Sequence, residues 1–168
     1  MSTTIEHHGM NALTFHLEDE IFAVQAESVR EILDPVPITR VPNAAAFVGG
    51  LINVRGTVVP LADLRVVFGM ERRPPDKDTR IIVVEFTLDD EPMVTGILAD
   101  RVHEVTEIEA ASMEQVPSVG MRWPPAFIRS IGKRDDGFVV IPDMERIFRT
   151  QSGRDAAAAN LTEERHEQ

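Results

Sequence analysis

The run GGLINVRGTVVPLADLRVVF, residues 49–68, decides how the chain is read. Two short aliphatic segments, LINV and TVVPL, flank Arg55-Gly56 and predict a β-hairpin with a cation at its bend. Asn53 and Arg55 alternate with Ile52 and Val54, which puts the polar pair on one face of the strand and the apolar pair on the other. Past the hairpin, Asp63 sits as the N-cap of a short helix that ends at Gly69.

The same plan occurs a second time. FVVIPDMERIF (138–148) follows VVPLADLRVVF (58–68), with Asp143 and Phe148 spaced as Asp63 and Phe68 are. Upstream, LTFHLEDEIFAV leads to VREIL in the first half, and VVEFTLDDEPMV leads to VHEVTEI in the second. Val41-Pro42 precedes Ala-Phe-Val, and Val116-Pro117 precedes Ala-Phe-Ile. The repeated order is hairpin, Glu-bearing turn, Val-Pro, Ala-Phe and helix start. Between the copies lies RRPPDKD (72–78), a charged link with no apolar face. Each half holds about five short strands and is too small to bury much apolar surface alone, so the two must pack together. Closing each small sheet also deals with its edges. The expectation is an all-β chain with short helices: two small antiparallel barrels, residues 12–71 and 79–150, related by pseudo-two-fold symmetry. Residues 1–11 are expected to be flexible, and the tail from 151 to 168, with one Leu as its only large apolar residue, helical or disordered.

Composition narrows the function. With 17 Lys and Arg against 28 Asp and Glu, the net charge is -11, which repels a phosphate backbone. Nucleic acid is excluded as a partner on that ground. There is no cysteine, and so no disulfide, thiolate catalysis or Cys-based zinc site. The N-terminal MSTTIEHHGMNALTF lacks a basic region followed by an apolar run, and no apolar stretch nears the roughly 20 residues that span a bilayer. These readings place the chain in the cytoplasm with no membrane insertion.

Chemistry-bearing patterns are sparse. His7 and His8 lie in the N-terminal segment, and His16 and His103 sit in strand or turn positions with no second His at ligand spacing. No phosphate-cradling glycine motif is present, and Glu18-Asp19-Glu20 and Asp89-Asp90-Glu91 read as hairpin tips rather than Ca²⁺ loops. The reading is therefore no catalytic residue, no metal and no cofactor. A small barrel enzyme or ligand-binding module would need a polar pocket with titratable groups that these patterns do not supply. Arg55 is open to two readings. It is a solvated turn residue, or it replaces the Asn or Asp that a two-residue turn prefers because its five donors hold a carboxylate. Glu31 in VREIL is a candidate for that carboxylate.

FVGGLINVRGTVVPLADLRVVFG resembles the signature of the CheW family of chemotaxis adaptors: an aromatic, a Gly, apolar-Asn-apolar-Arg-Gly, a Pro after aliphatics, then Asp-Leu. VREIL with ITRVP, and GILADRVHEVTEI, match in order and spacing, so the resemblance spans residues 12–149. The same motif occurs inside the kinase CheA and in CheV, but this chain carries no kinase motif, phosphoacceptor helix or receiver domain. The resemblance implies two SH3-like five-stranded barrels and a non-enzymatic adaptor, which the acidic charge is expected to keep monomeric when free. Its partners would be the cytoplasmic tips of methyl-accepting chemoreceptors and the regulatory domain of a CheA-type histidine kinase, and it would be recruited from the cytoplasm to receptor arrays. An adaptor of another chemosensory-type pathway, controlling surface motility or development, is the alternative.

Carried over by position, the resemblance pairs Glu31 with Arg55 across a groove between the barrels where the receptor lies. Val29 and Ile32 would give apolar contact, Asn53 and Gly56 would shape the hairpin, and Ile38, Val41 and Pro42 would meet the kinase. The second half departs from the family at Ser130, at Pro142 and in MRWPP (121–125).

Overall fold

The computed structural model describes residues 9–42, 46–114, 123–134 and 137–151. The first repeat forms β1 (Met10–Leu17), β2 (Glu20–Gln25), β3 (Val29–Leu33), β4 (Thr39–Arg40), β5 (Gly50–Val54), β6 (Thr57–Ala62) and helix α1 (Leu64–Val67). The second forms β7 (Arg80–Leu88), β8 (Glu91–Ala99), β9 (Arg101–Ile108), β10 (Met113–Glu114), β11 (Ile128–Arg134), β12 (Gly137–Pro142) and helix α2, residues 144–151. The hairpins form where their turn signals stand: Leu17 pairs with Glu20, Val54 with Thr57 and Leu88 with Glu91. Glu18, Arg55, Asp89 and Asp90 accordingly take positive φ. VREIL and VHEVTEI, read as turns, are instead strands β3 and β9, because each pairs antiparallel with a hairpin strand, β7 or β1. The chain is extended from Met10 onward, two residues earlier than expected. Residues 1–8, the second Val-Pro and the tail beyond 151 lie outside the described residues.

The repeat is visible in the hydrogen bonds. Asp63 N–H donates to the Phe47 carbonyl and Asp143 N–H to the Phe127 carbonyl, each at 2.9 Å. Both aspartates cap their helices, accepting from Arg65 N–H at 3.1 Å and from Arg146 N–H at 3.0 Å.

The sheets do not coincide with the halves of the sequence. One sheet runs β3-β7-β8-β6-β5-β4 and the other β10-β11-β12-β2-β1-β9. Each therefore combines the later strands of one repeat with the opening hairpin of the other, so the sequence ranges 12–71 and 79–150 each contribute to both. The exchanged hairpin is held on one side by an antiparallel partner and on the other by a parallel one, β6 with β8 and β12 with β2. Without the two-residue strands β4 and β10, each sheet has five principal strands and curls into an SH3-like barrel. We call the sheet holding β3–β6 the N-barrel and the sheet holding β9–β12 the C-barrel.

Exchange dictates where the core lies. On β7, Ile81 and Val83 point into the N-barrel with Ile52, Val59, Leu61 and Leu98, while Ile82 and Val84 point to the layer between the barrels. On β12, Val139 and Ile141 fill the C-barrel with Ala12, Ala23 and Ile108, and Val140 faces the shared layer. Strands buried on both faces read as unbroken aliphatic runs, as RIIVV and VVI do. All the phenylalanines except Phe138 join the shared layer, where Phe22 packs on Phe68 at 5.2 Å and Phe47 on Phe148 at 5.0 Å between ring centroids. At roughly 1.5–3 kcal/mol for each large side chain buried, this layer makes the two barrels one folding unit.

A buried cation ties the corners together. Arg65 is 4% exposed. Its Nε and Nη2 donate to the two Asp63 carboxylate oxygens at 2.9 Å, and its Nη1 to the Arg73 carbonyl at 3.1 Å and to Asp100 Oδ1 at 3.4 Å. Asp100 Oδ2 in turn accepts from Glu18 N–H at 2.7 Å, and Glu18 Oε1 from Glu71 N–H at 2.6 Å. Burial alone would lower the Arg65 pKa, but the hydrogen bonds and charge of Asp63, with Asp100 and Glu18, outweigh it and raise it. The network joins α1, the link between the repeats, the β8–β9 corner and the β1–β2 turn.

Two outcomes follow. Residues 9–71 expressed alone lack the hairpin that completes their barrel and are expected to show no cooperative thermal transition by circular dichroism; a sharp transition with dispersed NMR signals contradicts the exchange. Arg65→Met strands two carboxylates near a corner and is expected to cost about 3–5 kcal/mol in urea unfolding, whereas a loss below about 1 kcal/mol makes the network dispensable.

Candidate functional site

β3 stands at one edge of the N-barrel sheet, with three strands between it and β5 in hydrogen-bonding order. The curl nevertheless brings the β5–β6 turn back to it. Arg55 Nε lies 3.2 Å from Glu31 Oε2 and Nη2 lies 3.3 Å from Oε1, a two-pronged contact across the seam of the barrel. The sequence pairing of Glu31 with Arg55 is thus present in the structure. It differs from expectation in place, because both residues belong to one barrel and the contact fastens one sheet instead of bridging two.

The turn is built for this contact. Arg55 has φ 52° and Gly56 φ 85°, the pattern of a type I′ turn. Left-handed backbone costs a non-glycine residue roughly 1–2 kcal/mol, so Arg55 occupies a position that Asn or Gly fills at lower energy. Asn53 Oδ1 accepts from Gly56 N–H at 2.8 Å and holds the turn from inside. Glu31 is paired with Val83 of β7 just past a bulge in β3. The Arg55 side chain is 83% exposed and the Glu31 side chain 25%, so the guanidinium presents its remaining donors to solvent.

The apolar residues around the pair separate into two kinds. Val29 is half-buried against the layer between the barrels, whereas Ile32 stands out at 45% exposure. Three residues apart on a strand, the two fall on opposite faces, and the exposure of β3 alternates accordingly: Val29, Glu31 and Leu33 are half-buried, Arg30 and Ile32 exposed. Val58, opposite Asn53 in the hairpin, is 65% exposed and joins Ile32 among the few large apolar side chains in solvent. It was not singled out in the sequence, where it reads as one residue in an aliphatic strand. Its place beside a polar-faced Asn53 was the available signal.

Ile38, Val41 and Pro42 lie at the other edge of the same sheet, around β4. Ile38 and Val41 are exposed, and Val41 N–H donates to the Gly49 carbonyl at 3.1 Å. Gly50 makes the edge possible, since a Cβ there would sit 2.4 Å from Ile38 Cγ2. The Gly49-Gly50 pair thus seats an exposed isoleucine as well as turning the chain into β5.

In the second half, Ser130 Oγ and Trp123 Nε1 are buried with no hydrogen-bond partner among the described residues, and Phe138 is 62% exposed. His16 and His103, far apart in sequence, are in contact. Among the described residues no group of three or more His, Asp or Glu is placed to hold a metal ion, and no helix is long and apolar enough to cross a membrane.

The family model for the CheW-like domain matches residues 11–152. The chain is 33% identical over 135 residues to the chemotaxis protein CheW of Helicobacter pylori, covering 80% of this chain and 79% of that protein. It is 28% identical over 149 residues to the chemotaxis protein CheW of Rhizobium meliloti, covering 89% and 93%. The crystal structure of the scaffolding protein TtCheW from Thermoanaerobacter tengcongensis superposes with a TM-score of 0.71 at 34% identity, over 80% of this chain and 89% of that one. Exchanged barrels, the Asn-Val-Arg-Gly hairpin and these matches agree that the chain belongs to the CheW-like domain family.

Proposed function

We propose that this chain is the coupling adaptor of a bacterial chemotaxis complex, joining chemoreceptor tips to a CheA-type histidine kinase without chemistry of its own. It works in the cytoplasm, is monomeric when free, and is recruited to receptor arrays at the membrane. The receptor meets the face carrying Glu31, Arg55 and Ile32, with Val58 added to it. The regulatory domain of the kinase meets the edge at Ile38, Val41 and Pro42. Both surfaces sit on the N-barrel, one at each edge of its sheet, so one rigid body fixes the spacing between the partners.

The observation that carries this reading is Arg55 itself. An ion pair this exposed is worth roughly 0–1 kcal/mol to the fold, which does not offset the cost of a left-handed arginine. A side chain kept where the turn disfavours it, fastened to one carboxylate and still presenting donors to solvent, fits recognition better than stability. Ile32 and Val58 supply the apolar contact that a receptor helix offers its own stripe to.

Arg55→Asn separates the two roles, since Asn-Gly is the preferred type I′ pair. The variant is expected to keep or raise its melting temperature while binding a receptor-tip fragment at least about tenfold more weakly, about 1.4 kcal/mol, with kinase regulatory-domain binding unchanged. Calorimetric titration of both partners reads this directly. Unchanged receptor binding with a lowered melting temperature assigns Arg55 to the fold alone. Ile38→Glu is expected to give the converse pattern, with kinase binding weakened and receptor binding kept.

A further inference from the structure

β1 pairs antiparallel with β9, with a register shift between Leu13 and Phe15. That shift brings His16, near the end of β1, against His103, near the start of β9. His103 Nε2 meets His16 Nδ1, and the rings lie edge to face at 68° with centroids 4.4 Å apart. Both side chains are half-buried at an open hollow of ≈ 750 Å³ that Thr14, Arg101, Arg134 and Phe138 also line. Water therefore reaches the pair.

Two facing imidazole nitrogens share one proton. In the neutral pair one ring donates N–H to the lone pair of the other. A first added proton settles on an outer nitrogen and leaves the bridging hydrogen bond in place, now assisted by charge. A second proton sets N–H against N–H and cation against cation, and the contact is lost. The surroundings bear on that second step. Arg101 on β9 opposes it; Asp19 in the β1–β2 turn and Asp100 before β9 favour it; Glu104 and Arg134 line the same hollow. Burial first, then the charges of His103 and Arg101, prevail and hold His16 below its ordinary value.

The N-barrel has the corresponding seam, β3 with β7, also bulged, and there Arg30 Nε donates to Glu85 Oε2 at 2.8 Å. An Arg–Glu pair contains no imidazole, the side chain whose charge changes between pH 5 and 8. The two seams thus share a geometry and differ in the chemistry that closes them.

We propose that the His16–His103 contact is a proton-sensitive latch that holds the exchanged β1–β2 hairpin to β9 at neutral pH and releases that seam when both rings are charged. The C-barrel loosens on acidification while the N-barrel keeps its seam. The sign follows from linkage: the unfolded chain binds more protons than the folded one between the lowered His16 value and 6.5. The contribution is whole above 6.5 and is lost as pH falls through the lowered value.

Hydrogen exchange of the full chain, read amide by amide from pH 7.5 to 5.0 and corrected for intrinsic rates, tests the latch. Protection of the β1 and β9 amides is expected to fall at least about tenfold, roughly 1.4 kcal/mol, while β3 and β7 hold theirs. In His103→Gln, whose amide donates to a neutral His16 and takes no charge, the fall is expected to vanish. An equal fall in both seams overturns the proposal, as does a wild-type fall in the variant. Should His103→Gln not fold, NMR titration of the His16 ring in the wild-type chain decides instead: a midpoint below 6.5 supports the latch, and an ordinary midpoint overturns it.

Discussion

The structure depends on the placement of two hairpins in each other's barrels. Neither β1–β2 nor β7–β8 completes the sheet of its own repeat; each is inserted between a parallel and an antiparallel strand of the other. A hairpin with one face in a barrel interior and the other in the shared layer is apolar on both faces there. That requirement explains the aliphatic runs, the phenylalanines gathered between the barrels, and the need for a buried guanidinium at the corner where link, turn and helix meet. A pair of independent barrels would have needed none of these.

The same constraint sets up the face that carries Glu31 and Arg55. Because β3 is fixed against the imported β7, its bulge and Glu31 are held by a strand that does not belong to the first repeat. The β5–β6 hairpin then closes onto a rigid carboxylate. Arg55 is thereby oriented by three elements: its own left-handed turn, the Asn53 bond beneath it and the Glu31 anchor. This is how an ion pair of little thermodynamic weight defines a direction in space, and direction is what a scaffold that joins two partners must supply.

Much of this was legible in the chain. Turn signals located three of the tight hairpins, and the duplicated Asp and Phe positions foretold the paired helix caps. Pairing between Glu31 and Arg55 was read correctly as to residues. Exchange was not legible, because periodicity reports how a strand is buried and not which strand lies beside it; a parallel pairing between Leu61 and Gly96 leaves no local mark. The same limit hid the placement of the ion pair within one barrel and the meeting of His16 with His103. The opposite facings of Val29 and Ile32, by contrast, follow from alternation along VREIL, where an odd separation places two residues on different faces.

Duplication gave two barrels with one plan, and the differences between them show what each retained. The N-barrel carries Gly50, Arg55 and an exposed apolar edge; the equivalent stretch of the C-barrel carries Ser130, whose hydroxyl has no partner among the described residues, and an exposed Phe138. At the seams, Arg30–Glu85 faces His16–His103. An Arg–Glu ion pair spans the seam of the N-barrel, and two facing imidazoles span that of the C-barrel. The shared layer of phenylalanines joins the two barrels, while each seam is closed by its own side chains. The repeat thus supplies two copies of one closure, free to diverge because neither alone carries the stability of the whole.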